Sequence, residues 1–376
     1  MKKTQLYLIL LVIGFQFQDL NAQKNPRLIE TNWKTDLSKN SVPLDEFLTL
    51  LKPDQIPPIN SPSFITIEEA KKTYFEHEPV IAIEINNIAK AYPLSVLMYH
   101  EIVNDNIGGV PIIATYCPLC NAAIVFNRNL EFKDETYLLD FGVSGMLRKS
   151  DMVMWDRQTE SWWQQFTGEA LVGELNGASL EFIPSLLISL SDFSKNYPNG
   201  KVLSTNNGIE NVDYGENPYV NYDNIDNETP FLFKEKVDER LPAMERIVDI
   251  SFDGITRIYP LTAIKKEMVI NDEINNNPIV IFHETKTLSV LDSKEIDKSK
   301  AVGAVTVFSP KVGDKTLTFI SKEQRFFDIE TNSEWTIAGK CIAGTYIGEH
   351  LETIRSGNHF AFAWFAFQPE CEIYGQ

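Results

Sequence analysis

Two cysteines, Cys117 and Cys120, are separated by two residues and lie between two short apolar runs that we predict to be strands. Pro118 fixes φ at about −65° and starts a tight turn after the first thiol. Asn121 tolerates the left-handed backbone conformation better than most residues, so the chain can reverse after the second thiol. The pattern predicts a knuckle that directs both sulfurs to one side.

Three chemistries fit such a knuckle, and the sequence leaves all three open. Thiolates with nitrogen or sulfur partners bind copper or zinc, and we favour this interpretation. A redox-active pair would prefer its first thiol at the start of a helix, whereas a strand is predicted after Cys120. A structural disulfide between Cys117 and Cys120 is the third interpretation, because export would place the thiols in an oxidising compartment.

His100 is the predicted third metal ligand, because it lies one short connection before the strand that carries the knuckle. Glu101 or Asp105 would orient its imidazole. The alternative is a buried, hydrogen-bonded histidine. The sequence slightly favours copper over zinc, because methionines lie close to the site in sequence. Candidates for a fourth ligand are Asp151, Met152 and Met154.

The chain contains an internal repeat. Tyr92-Pro93-Leu94 returns as Tyr259-Pro260-Leu261, and Pro111-Ile112-Ile113 returns as Pro278-Ile279-Val280 at the same spacing. Further along, four residues return after a slightly longer spacing: Asp156, Thr159, Ser161 and Trp163 as Asp328, Thr331, Ser333 and Trp335. We therefore predict a duplication. The second copy lacks the candidate ligands, since Cys117, Cys120 and His100 correspond to Glu284, Thr287 and Glu267.

The predicted fold class is α+β and β-rich, with two tandem pseudo-symmetric units of strands and short helices. Each unit begins with a hairpin, around Asn86-Asn87 and Asp253-Gly254, because these residues suit two-residue turns. The predicted boundaries are a signal peptide at 1–22, an N-terminal extension at 23–75, unit one at 76–205, a linker at 206–243 and unit two at 244–376. We also predict strands at 110–116, 123–127, 137–141 and 152–155, and a helical, aromatic-packed segment at 351–366.

The first residues predict export. Lys2 and Lys3 precede a short apolar run, and small residues follow it before a predicted cleavage ahead of Gln23. That run is about half the roughly 20 residues needed to span a bilayer. The net charge of −18 disfavours nucleic acid as a partner. We therefore expect a periplasmic or secreted protein with a metal ion as partner and no membrane span. The sequence indicates neither a protein partner nor a reaction.

Several stretches are similar to a bacterial family that is catalogued only as a domain of unknown function, numbered three-one-seven-nine. They are Tyr92-Pro93-Leu94, the run from His100 to Asp105, Thr115 to Cys120, Gly142 to Gly145, and Ser150 to Thr159. The resemblance runs from about Val80 to Tyr374. Asn121 departs from it, because that family usually has glycine there. The resemblance implies no known activity, so the functional hypothesis rests on the residues themselves.

Overall fold

The computed structural model describes residues 33–207, 209 and 212–376, which form an α+β, β-rich fold, as predicted. The predicted signal peptide lies outside these residues. In the described part of the chain, the helices are α1 (Ile67–Thr73), α2 (Leu94–His100), α3 (Leu190–Asn196), α4 (Leu261–Glu267) and α5 (Ala361–Phe367). None of them is long and apolar enough to cross a membrane.

Fifteen of the described strands precede residue 206. They are β1 (Phe47–Thr49), β2 (Phe64–Thr66), β3 (Pro79–Ile85), β4 (Ile88–Pro93), β5 (Ile102–Ile107), β6 (Val110–Cys117), β7 (Ala122–Asn127), β8 (Asn129–Phe132), β9 (Glu135–Leu138), β10 (Phe141–Arg148), β11 (Asp151–Asp156), β12 (Trp162–Gln164), β13 (Ala170–Val172), β14 (Leu186–Ser189) and β15 (Lys201–Leu203).

The other strands follow residue 243. They are β16 (Arg246–Phe252), β17 (Ile255–Pro260), β18 (Val269–Ile274), β19 (Asn277–Glu284), β20 (Ala304–Phe308), β21 (Lys311–Val312), β22 (Lys315–Thr316), β23 (Phe319–Lys322), β24 (Arg325–Asp328), β25 (Glu334–Trp335), β26 (Cys341–Ala343), β27 (Ser356–Phe360) and β28 (Glu372–Ile373). Short 3₁₀ turns occupy Leu44–Glu46 and Ile296–Lys298.

The two predicted hairpins are present. Strands β3 and β4 pair antiparallel around Asn86 and Asn87, which have φ of 52° and 61°. Strands β16 and β17 pair in the same way around Asp253 and Gly254, at φ of 49° and 84°. Asparagine, aspartate and glycine adopt positive φ at low cost, so these turns specify the register of each hairpin.

The strand order is the same around both hairpins. In the first half β14, β3, β4 and β15 lie side by side, and in the second half β27, β16, β17 and β28 do. The last pair of each set is parallel. A duplication predicts this correspondence, but superposition of the halves is its direct test, so the pseudo-symmetry and the unit boundaries stay predictions.

The halves share one sheet. Its order is β18-β19-β20-β14-β3-β4-β15-β2, and the junction is the antiparallel pair of Leu187 with Val305. The largest cluster of buried apolar side chains also draws on both halves. In addition, the chain before residue 50 packs Phe47 and Trp33 against Trp162 in a separate small core.

Two local predictions differ from the structure. Residues 137–141 were predicted as one strand, but β9 ends at Leu138 and β10 begins at Phe141. Strand β9 turns back on β8 through Lys133 and Asp134, which have positive φ although neither is glycine or asparagine. The segment 351–366 was predicted to be helical, but only its end enters α5, because Ser356–Phe360 pairs with β16 as β27.

Candidate metal centre

The predicted knuckle connects two strands. Strand β6 ends at Cys117 and β7 begins at Ala122, and these two residues pair with each other. Asn121 has φ of 51°, in the left-handed region, and its N–H donates to the Pro118 carbonyl at 3.2 Å. Because β7 rather than a helix follows Cys120, neither thiol lies at a helix N-terminus, the usual setting that activates a redox cysteine.

The knuckle brings two thiols and one carboxyl group together. Cys117 Sγ, Cys120 Sγ and a carboxylate oxygen of Asp151 lie within 4.8 Å of one another, and all three residues are buried. All four cysteines of the chain are free thiols in this structure. Two sulfurs and one carboxylate oxygen are a donor set that can hold a metal ion.

Asp151 reaches the thiols from a different hairpin. It begins β11 after a tight turn at Lys149 and Ser150, whose φ values are 52° and 68°. The turn also places the Ser150 carbonyl 4.0 Å from Cys117 Sγ and 3.6 Å from Cys120 Sγ, where it accepts weak hydrogen bonds from the thiols. The β10–β11 turn therefore supplies both the third donor and the backbone that faces the thiols.

The carboxylate of Asp151 is satisfied on one side only. Its Oδ2 accepts hydrogen bonds from Gln164 Nε2 at 2.6 Å and from the Phe166 N–H at 3.0 Å. Its Oδ1 is buried and has no hydrogen-bond partner. A buried acceptor without a donor is costly, so a cation or a proton at this atom would remove the penalty.

Burial determines the charge of the metal-free site. It raises the pKa of the Cys117 thiol and raises the pKa of Cys120 well above the usual value, because a thiolate is poorly solvated in this interior. Burial also raises the pKa of Asp151 to about 6, although the hydrogen bond from Gln164 opposes the shift. Without metal both thiols are therefore protonated at neutral pH, and little thiolate is present to act as a nucleophile.

Glu101 adds a further acidic group near the site. Its pKa is raised to about 8, first by burial and second by the negative charge of Asp151. It follows α2 with φ of 56°, an uncommon conformation for a non-glycine residue. Glu101 is therefore mostly protonated at neutral pH, and Asp151, with the lower pKa, is the acid that carries negative charge beside the thiols.

His100, the predicted third ligand, is not part of the ligand group. Its Nδ1 lies 2.7 Å from the Pro57 carbonyl and its Nε2 lies 2.7 Å from Tyr214 Oη. Both ring nitrogens therefore have hydrogen-bond partners, which is the alternative that the sequence left open. The helix α2 directs the His100 ring towards Pro57, which precedes β2, and Tyr214, which follows β15.

The centre is closed by residues from outside the knuckle. Tyr222 Oη donates to the Leu119 carbonyl at 3.0 Å, and the Phe360 N–H donates to the Cys120 carbonyl at 3.0 Å. Ser150 Oγ donates to the Phe231 carbonyl at 2.6 Å. Tyr222 and Phe231, from the chain after residue 212, and Phe360 of β27 thus pack around the knuckle. Cys117 and Cys120 are at most 1% exposed to solvent.

The corresponding place in the second half has different chemistry. Strand β19 ends at Glu284, and Glu284 Oε2 accepts hydrogen bonds from Thr287 Oγ1 at 2.6 Å and from the Thr287 N–H at 3.2 Å. A carboxylate–hydroxyl contact therefore links the two residues that correspond to Cys117 and Cys120. This turn offers no thiol.

Two residues that hold Asp151 were absent from the sequence analysis, Gln164 and Phe166. Gln164 lies in β12, which pairs with β11, and Phe166 follows that strand. Their contact with Asp151 depends on this pairing, so the spacing in sequence does not predict it. Asp151 itself carried a usable signal. It is an acid at the start of an apolar, strand-like run, where burial would need a compensating partner.

The comparison with known protein families agrees with the resemblance found in the sequence. The family model described as "Protein of unknown function (DUF3179)" matches residues 53–371, so the chain belongs to this family. No curated protein and no solved structure matches the chain significantly. The assignment of function therefore depends on the geometry of the site.

Proposed function

We propose that this is an exported protein that binds a transition metal through Cys117, Cys120 and Asp151. The observation that carries the proposal is the group of two buried thiols and one buried carboxylate within 4.8 Å, with one carboxylate oxygen unpartnered. His100 is omitted from the ligand set because both of its ring nitrogens have other partners.

Zinc is favoured over copper for this donor set. Copper(I) prefers sulfur and imidazole ligands, whereas zinc accepts thiolate and carboxylate together. The sequence favoured copper because methionines were candidates; a carboxylate oxygen in their place reverses that preference. Cys117, Cys120 and Asp151 would hold the ion with the number of protein ligands that is usual in catalytic zinc sites, where zinc acts as a Lewis acid.

Metal binding would relieve the unfavourable electrostatics of two thiols and a carboxyl group that are buried together. A divalent cation stabilises both thiolates and the carboxylate, so the thiols would release their protons on binding. Affinity would therefore rise with pH. The competing function, a thiol–disulfide oxidoreductase with Cys117 as nucleophile, has less support because burial raises the pKa of that thiol and denies access to a protein substrate.

Elemental analysis of purified protein after zinc loading and dialysis tests the proposal. We expect close to one zinc per chain in the natural sequence and loss of this zinc in Asp151→Asn and in Cys117→Ser/Cys120→Ser. The variant His100→Gln should retain its zinc. A matched control is Cys341→Ser/Cys371→Ser, which removes the same number of thiols outside the group.

Three results would contradict the metal site. Equal zinc in the natural protein and in the Cys117→Ser/Cys120→Ser variant would show that any binding occurs elsewhere. Disulfide reduction or oxidation that disappears in Cys117→Ser, with negligible metal in the natural protein, would favour the oxidoreductase. A Cys117–Cys120 bridge that resists mild reductant would instead favour a structural role.

We also propose that the chain is exported, since Lys2, Lys3 and the short apolar run that follows have the pattern of a signal peptide. Cleavage would leave Gln23 at or near the new N-terminus. N-terminal sequencing of protein from the periplasm or medium tests this, and a full-length product confined to the cytoplasm would contradict it.

A further inference from the structure

A chain of hydrogen bonds connects the candidate ligand Asp151 with the N-terminal extension. Gln164 Nε2 donates to Asp151 Oδ2, and Gln164 Oε1 accepts from Arg148 Nη1 at 3.2 Å. Arg148 in turn donates through Nε to Glu46 Oε2 at 2.7 Å and forms an ion pair with it. Gln164 and Asp151 are fully buried, and the side chain of Arg148 is only 11% exposed.

The chemistry of these groups fixes their order. A guanidinium group has donors and no acceptor, so Gln164 must present its carbonyl oxygen to Arg148. The Gln164 amide nitrogen then faces Asp151, where only an acceptor is useful. Glu46 holds the other side of the guanidinium, so Arg148 cannot readily turn away. Glu46 thus orients Arg148, Arg148 orients Gln164, and Gln164 orients Asp151. We refer to this series of hydrogen bonds as the relay.

The consequence is a carboxylate with one engaged oxygen and one available oxygen. Gln164 and the Phe166 N–H both donate to Oδ2, which leaves Oδ1 without a partner. Hydrogen bonds to the engaged oxygen hold the carboxylate plane and favour the ionised form that a metal needs. We propose that Gln164 and Arg148 are positioning residues that orient Asp151 as a metal ligand, with Glu46 anchoring them from the N-terminal extension. This inference rests on the proposed metal site.

The affinity of full-length protein for zinc, measured by competition with a chromophoric chelator, tests the relay. Gln164→Met keeps the length of the side chain and removes both hydrogen bonds. It should weaken zinc binding by roughly 10- to 100-fold, the usual effect of losing a group that orients a ligand. Arg148→Met should weaken it by about tenfold, because Gln164 stays but loses its fixed orientation. Arg148→Lys, which keeps a charged donor, should recover part of this loss.

The absorption spectrum of protein loaded with cobalt(II) reports on the metal ligands and does not change when the protein only loses stability. The thiolate-to-cobalt absorption should remain in Gln164→Met, since both cysteines are intact. The ligand-field bands should change as they do in Asp151→Asn, because the oxygen ligand is misplaced in both. The matched control is Arg157→Met, which removes another arginine–carboxylate pair, with Asp54 at 2.8 Å, directly after β11. It should keep both the affinity and the spectrum of the natural protein.

The outcomes separate this inference from the proposed function. If zinc binding needs Asp151 but Gln164→Met has natural affinity and a natural cobalt spectrum, the relay is wrong and the metal site stands. If the natural protein binds no zinc, both are wrong. If Gln164→Met does not fold, Arg148→Met decides, because its side chain lies at the edge of the core: natural affinity and spectrum in that variant would overturn the relay.

Discussion

Glu78 is a buried carboxyl group outside the candidate centre. It precedes β3, is 1% exposed, and accepts a hydrogen bond from Ser95 Oγ through Oε1. Burial raises its pKa to about 7, and the hydrogen bond from Ser95 only partly opposes this. The protonated form is therefore favoured in the folded protein over a range of pH in which the unfolded chain carries the charge.

This shift makes the folded state less stable as pH rises. A folded pKa above the unfolded one means that the native state binds the proton more tightly. The stabilisation of the folded protein by protonated Glu78 is complete below the ordinary pKa of about 4.5. It is lost as pH rises through about 7, the pKa of Glu78 in the folded state. A shift of this size corresponds to about 3 kcal/mol. As pH rises from 4.5 to 8, the unfolding free energy of Glu78→Gln should therefore increase by about 3 kcal/mol relative to that of the natural protein.

Urea unfolding at several pH values measures this difference, and other titrating groups cancel because both proteins contain them. Glu76→Gln is a matched control, since Glu76 is exposed and lies two residues away. A constant difference between Glu78→Gln and the natural protein across this pH range would show that Glu78 does not titrate with a raised pKa.

Among single residues, the sequence was informative about the cysteines and less informative about their partner. Cys117 and Cys120 are close in sequence, so turn chemistry alone placed their sulfurs together. The third donor, Asp151, was only one of three candidates for a further ligand, because its approach to the thiols depends on how the β10–β11 hairpin packs against the knuckle, a long-range contact that no local pattern contains. His100 lies closer to the two cysteines than Asp151 in sequence, whereas Asp151 lies beside them in space.

Among elements, hairpins and short turns were the most predictable parts of the fold. The knuckle between β6 and β7 follows from Pro118 and Asn121, and Asn121 has the positive φ that was expected. The β8–β9 turn was not predicted, because Lys133 and Asp134 adopt positive φ without the usual residue types. Pairing with neighbouring strands compensates for such strain, and a single sequence does not reveal which strands will be neighbours.

The repeated Asp-x-x-Thr-x-Ser-x-Trp pattern proved to be a structural motif. Asp156 accepts hydrogen bonds from the Thr159 N–H at 2.6 Å, the Ser161 N–H at 3.1 Å and Trp163 Nε1 at 2.9 Å. Asp328 accepts the three corresponding bonds, from Thr331, Ser333 and Trp335, at 2.6, 3.1 and 3.0 Å. One carboxylate thus closes the turn and holds the next strand in both halves, which explains the spacing without any catalytic role.

At the scale of the whole molecule, the halves differ in how their small sheets are covered. In the first half Trp155 pairs with Trp162, and Trp33 and Phe47 pack over Trp162. In the second half Phe327 pairs with Glu334, and Arg325 forms an ion pair with Glu334 at the surface. The first sheet therefore needs the N-terminal extension as cover, whereas the second carries charged groups that water can solvate.

The whole molecule also controls access to the thiols, because strand β27 of the second half lies over the knuckle of the first. The shared sheet and shared core indicate that the halves open together. In metal-free Cys341→Ser/Cys371→Ser protein, we therefore expect Cys117 and Cys120 to react with a thiol reagent only through global unfolding. Labelling should then accelerate with any loss of stability, wherever it arises.

Two core variants test this cooperativity by the rate of labelling in that background. Phe360→Ala removes a buried ring beside the knuckle, and Phe308→Ala removes one in β20, packed against Phe282. Each should cost about 3 kcal/mol and accelerate labelling by about 100-fold, since 1.4 kcal/mol corresponds to a factor of ten. Urea unfolding of each variant supplies the measured loss of stability for comparison. Acceleration by Phe360→Ala alone, at equal loss of stability, would show that β27 opens locally and that the halves are not one cooperative unit.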